Sequence, residues 1–88
     1  MALTFEWNAR KAAANLTKHG VTFDEATTVF ADHLGRLEDD PRHSILEERF
    51  VLLGTFAAGR LLAVMFIDRG GDRLRLISAR PATRRRSE

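Results

Sequence analysis

The sequence predicts an α+β fold: one strand, two short helices, an antiparallel β meander and a stub of a last helix. Two observations carry the prediction. Two sets of helix signals, Asn8 to Gly20 and Thr22 onward, directly follow one short strand. Three strand-length segments then follow, joined by FAAG and RGGD, connectors of hairpin length and hairpin composition. Neither an internal repeat nor a low-complexity linker interrupts the 88 residues, so residues 1–88 read as a single domain.

Each element has its own justification. In LTFEW (3–7), Leu3, Phe5 and Trp7 fall on one side, the pattern of a half-buried strand. Asn8 is a good N-cap, and ARKAAANLTKH runs through strong helix formers to Gly20. Ala9, Ala12, Ala13 and Leu16 form the expected apolar stripe of this helix, with Lys11, Asn15 and Lys18 along another face. Thr22 and Glu25 make a T-x-x-E capping box, preceded by Val21 as a hydrophobic staple. Phe23, Ala26, Val29 and Phe30 supply the buried face of the second helix. Residues 35–39 read as a short edge strand and DDPRHS as a turn. The meander is 48–55, 60–68 and 73–80; its middle strand is apolar on both faces and belongs inside the sheet. Pro81 suits a helix start, which gives the last stub.

Composition narrows the function classes. With no cysteine, disulfides and thiolate metal sites are excluded. MALTFEW lacks a basic segment followed by an apolar one, so it does not read as a signal peptide. The longest apolar run, Leu61 to Ile67, is far short of the roughly 18–20 residues of a membrane span. A cytoplasmic protein is expected. The net charge is only +2, yet the cations are almost all arginine, and seven of them crowd residues 69–88. Arginine suits bidentate phosphate contact, so a basic C-terminal third points to RNA, DNA or an acidic protein partner. A solvated arginine-rich surface is the competing reading.

Four groups of residues carry candidate chemistry. Lys18 and His19, in the last turn before Gly20, complement the helix macrodipole; they also offer a cation and a general acid or base. Joined to Lys11 and Asn15 they would make a phosphate-facing stripe. Alternation along the last strand puts Ser78 and Arg80 on the face of Leu74 and Leu76, with Arg73 and Arg75 on the other. Arg80 would then present its fork to a phosphate in a concave site, or else pair with a carboxylate such as Glu6 or Glu48; Arg49 opens the first meander strand. His33, Asp39, Asp40 and His43 match no tight metal-ligand spacing, and a solvated loop is favoured over a metal site. Trp7 reads first as core, with an aromatic platform for a base as the alternative.

The order of these motifs resembles the BrnT family of bacterial type II toxins. FEWNARKAAANLTKHGVTFDEATTVFAD, EERFVLLGTFAAGRLLAVMF and RLRLISARPATRRR follow one another as the family's FEWD-like, KHGVxFEEA-like, ER…G…GRLL and RIISAR segments do. Asn8 stands where the family usually has Asp, and both are N-caps. The family generally continues a charged helix after this point, whereas here a short stub ends at Glu88. The resemblance implies a RelE-like fold and a ribonuclease that arrests translation without metal or cofactor. It also implies a DNA-binding, BrnA-like antitoxin as partner, with DNA touched only through that antitoxin. Lys18, His19, Arg49 and Arg80 are the expected catalytic set; Lys11, Asn15, Trp7, Arg73 and Arg75 the expected RNA contacts. The alternative is a degenerate, non-catalytic module of the same fold that acts only by binding its protein partner.

Overall fold

The computed structural model describes residues 3–32, 34–39, 48–56 and 59–82. Strand β1 (Thr4–Glu6) leads into α1 (Ala9–His19) and α2 (Phe23–Thr27), which tightens into a 3₁₀ turn over Thr28–Ala31. Strands β2 (Arg36–Asp39), β3 (Arg49–Thr55), β4 (Leu61–Asp68) and β5 (Arg73–Pro81) complete the described chain. The five strands form one sheet in the order β1-β5-β4-β3-β2, so β4 is central, as its two apolar faces require. β2 through β5 are antiparallel neighbours, the expected meander with residues 36–39 as its edge. The first strand closes the sheet from the far end of the chain, pairing parallel to β5 with Thr4 opposite Arg73 and Glu6 opposite Arg75.

The two helix starts form as their residues dictate. Asn8 Oδ1 accepts from the Arg10 and Lys11 amides at 2.8 and 3.1 Å. The Thr22–Glu25 capping box is closed in both directions, at 3.0 and 2.9 Å, and Val21 beside it is buried. Gly20, at φ 72°, takes the left-handed conformation that ends α1, its amide donating to the Leu16 carbonyl at 2.9 Å.

One face of the sheet meets the helices. Val21, Phe23, Ala26 and Val29 pack on Leu62, Val64 and Phe66 of β4 and on Leu74, Leu76 and Ala79 of β5. A run of edge-tilted rings, Phe5–Phe30, Phe30–Phe66 and Phe50–Phe66, crosses this layer at centroid spacings of 5.1, 5.1 and 5.7 Å. Gly54 is needed where β3 passes beneath the 3₁₀ turn, since an added Cβ would stand 2.8 Å from Val29 Cγ1. The opposite face bears no helix among the described residues.

Three expectations change. Ala13 and Leu16 of the expected apolar stripe on α1 are exposed, and the helix instead buries Asn15. On β5 the pairing jumps from Met65–Ser78 to Phe66–Leu76, leaving Ile77 as a bulge. The bulge reverses the alternation, so Ala79 joins Leu74 and Leu76 in the core. Arg80 therefore moves to the outer face with Arg73 and Arg75. Pro81, read as a helix start, is the last residue of β5; residues 83–88 of the expected stub lie outside those described.

Candidate functional site

The junction of α1 with β5 is built by Asn15. Beyond Arg75 the short β1 no longer pairs with β5, which would leave the Ala79 backbone open at the sheet's flank. Asn15 Oδ1 accepts from the Ala79 amide at 3.0 Å, and Nδ2 donates to the Ala79 carbonyl at 2.8 Å. The side chain thus pairs with the strand as a neighbouring backbone would. Nδ2 also donates to the Val21 carbonyl at 2.9 Å, which holds the turn after Gly20 against the same strand. The amide expected to face a phosphate is committed to the fold. A helical pattern of small apolar residues gave no sign of this, because a polar residue buries itself wherever the backbone needs partners.

Once α1 is held there, its cationic side chains share one groove. Lys11, Ala14, Asn15, Lys18 and His19 from the helix, with Ile77 and Ser78 from the bulged strand, line a cavity of about 200 Å³. Lys11 and Lys18 are exposed and His19 is half-buried. Ser78, absent from the residues singled out by sequence, supplies a hydroxyl at the groove wall. Two residues further along the same strand face stands Arg80, exposed and with no ion pair among the described residues. The helix-end stop at Gly20 and the strand bulge together bring Lys18 and His19 to Ile77 and Ser78, with Arg80 two residues further along β5.

Arg49 belongs elsewhere. It lies opposite Ile67, which lies opposite Arg75, whereas Arg80 lies opposite Ala63 at the other end of β4. From strand rise and spacing, Arg49 and Arg80 are about 16 Å apart at Cα. Of the expected catalytic quartet, Lys18 and His19 line the groove, Arg80 stands two residues beyond Ser78, and Arg49 lies toward the other end of β4.

The outer face holds a second basic cluster around Glu6. Arg75 Nη1 is 3.1 Å from Glu6 Oε2, Arg73 Nε is 3.8 Å from Oε1, and Arg69 Nη1 is 4.0 Å from Oε2. The carboxylate expected as a partner for Arg80 thus sits among three other arginines, and one negative charge leaves the cluster positive. Sequence could not assign this pairing, because it depends on β1 lying parallel against β5.

Trp7 follows Glu6 on the helix side of the sheet, away from these arginines. Its ring meets Phe23 edge-on at 5.7 Å and 78°, and lines a shallow cleft of about 240 Å³ with Ala12, Ala13, Leu16 and Asp24. Asp39 is exposed in β2, while His33, Asp40 and His43 lie outside the described residues. None of the described helices is long and apolar enough to cross a membrane.

A cationic groove holding a histidine, beside an arginine-bearing sheet face, defines a small α+β protein equipped to handle a polyanion. The chain belongs to the BrnT family: the family model described as "Ribonuclease toxin, BrnT, of type II toxin-antitoxin system" matches residues 7–86. Its fold is similar to that of the Brucella abortus ribonuclease toxin BrnT, known from a 1.1 Å crystal structure, with a TM-score of 0.69. The two chains are 24% identical, over 94% of this chain and 100% of the other, a likeness of fold. No curated protein matches the chain.

Proposed function

We propose that this ribonuclease toxin is a metal-free endoribonuclease of the RelE-like kind, with its reacting corner at the α1–β5 groove. The observation that supports the reading is the sharing of one groove by Lys11, Lys18, His19 and Ser78, with Arg80 two residues further along the strand from Ser78. An RNA phosphate in the groove would meet cations and an imidazole able to act as a general acid or base. The ribose 2′-oxygen attacks the adjacent phosphorus as its proton passes to His19. The P–O5′ bond breaks, and the leaving 5′-oxygen takes a proton from the Lys18 ammonium. Arg80 and Lys18 stabilise the additional charge on the phosphorane, and the products are a 2′,3′-cyclic phosphate and a 5′-hydroxyl. Lys11 holds the flanking phosphate, while Arg49 and the Glu6 cluster of Arg69, Arg73 and Arg75 guide the strand across the outer face. Cleavage of cellular RNA arrests translation, and a DNA-binding, BrnA-like antitoxin holds the enzyme inactive in the cytoplasm.

The test is cleavage of end-labelled RNA by the purified chain with a chelator present. Cyclic phosphate ends are expected. Lys18→Ala, His19→Ala and Arg80→Ala should each lower the rate about a hundredfold while leaving thermal unfolding almost unchanged. Arg49→Ala should act mainly on the salt-dependent affinity for RNA. Full activity in all of the first three would place the reaction elsewhere. A folded chain that cleaves no RNA would favour a module acting only through its protein partner.

A further inference from the structure

Among the described residues, no strand pairs with the outer edge of β2, whereas the opposite flank is closed by β1 and Asn15. β2 ends the strand order, so its outer row of backbone donors and acceptors faces away from the sheet. All four of its residues are exposed, with Leu37 at 59% and Leu34, just before it, at 90%. An exposed edge carrying leucines is a template for another strand. The charges on this edge specify which strand fits. Arg36 and Glu38 point to the same side and lie 3.6 Å apart within the chain. If two copies of β2 run antiparallel about Leu37, Leu37 faces Leu37, and each Arg36 faces the other copy's Glu38. Directly opposed side chains sit about 4.5–5.5 Å apart at Cβ, within ion-pair reach. Any partner strand lacking this alternation would leave one or both charges opposed to a neutral or like-charged residue.

We propose that β2 is a self-complementary docking edge through which a second copy of this chain extends the sheet. The two-fold axis passes between the paired Leu37 residues, perpendicular to the sheet. Both helix layers then lie on one side and both outer faces on the other. Because each strand is only four residues long, the association should be weak and concentration-dependent. The proposal stands on the edge alone and does not depend on how RNA is cleaved.

Sedimentation of the purified full chain over rising concentration, up to the millimolar range, tests it. The weight-average mass should climb from 9.9 kDa toward twice that value. Arg36→Glu alone and Glu38→Arg alone each set like charges opposite one another and should remain monomeric. Mixed in equal amounts, these two variants should dimerise with each other, and the double swap Arg36→Glu/Glu38→Arg should regain self-association. Circular dichroism confirms that each variant is folded. A parent chain that stays monomeric throughout overturns the proposal, as do single variants that associate like the parent. If the parent stays monomeric and Arg36→Glu weakens binding of the antitoxin, the edge belongs to that partner instead.

Discussion

The two flanks of the sheet solve the same problem in opposite ways. On the β1–β5 flank, where the three-residue β1 runs out, a buried side-chain amide takes over the backbone of Ala79. Pro81, the last residue of β5, offers no amide hydrogen to any further strand. The closure brings a helix against the strand and creates the groove that holds Lys18 and His19. On the β2 flank the described strand is exposed and carries a pair of opposite charges, Arg36 and Glu38. Asp32 holds that side from beneath, its carboxylate accepting from the Leu34 amide at 2.9 Å and the Thr55 amide at 2.7 Å. One flank is closed by a side-chain amide and lines a cationic groove; the other, among the described residues, is held in place with its strand exposed.

The difference can be broken at its strongest point first. Asn15→Leu keeps the volume of the buried side chain but leaves the Ala79 amide and carbonyl and the Val21 carbonyl without partners. A loss of about 3–5 kcal/mol in urea unfolding is expected, a large share of the stability of so small a domain. Cleavage should fail with it, since the groove depends on the same contact. On the other flank Asp32→Ala should cost only about 1–2 kcal/mol, because the amides it releases lie nearer to water. RNA cleavage should persist, which separates the two flanks functionally. A loss of activity in Asp32→Ala at temperatures where it is fully folded would contradict that separation. The smallest effect belongs to Glu6→Gln. Its ion pairs are partly exposed, so the stability change should stay within about 1 kcal/mol. Releasing three arginines should instead tighten RNA binding a few-fold and steepen its dependence on salt, read by titration at several ionic strengths. Unchanged affinity and slope would remove this cluster from the RNA path.

Local physics accounts for the elements that could be read in advance. The caps at Asn8, Gly20 and Thr22 act within a few residues of themselves, and the structure forms each of them. The placement of β4 at the centre follows from apolar residues on both of its faces. Lys18 and His19 were visible for the same reason, since a helix end announces its own position. Arg80, expected to share a face with Leu74 and Leu76, lies on the other one. One bulge residue, Ile77, changes the parity of everything after it, and alternation in a single strand carries no record of what its partner skips.

The amino-acid sequence by itself determined the α+β class, the two capped helices, the meander and the family to which the chain belongs. These rest on short-range spacing and on ordered motifs along the chain. Tertiary structure alone decided that β1 lies parallel to β5, which places Glu6 among three arginines. It also decided that Asn15, rather than an alanine–leucine stripe, joins α1 to the sheet. Both decisions bring together residues more than sixty positions apart. Contacts at that range are selected by which backbone groups and charges the folded sheet leaves unsatisfied, a condition that exists only once the strands have met.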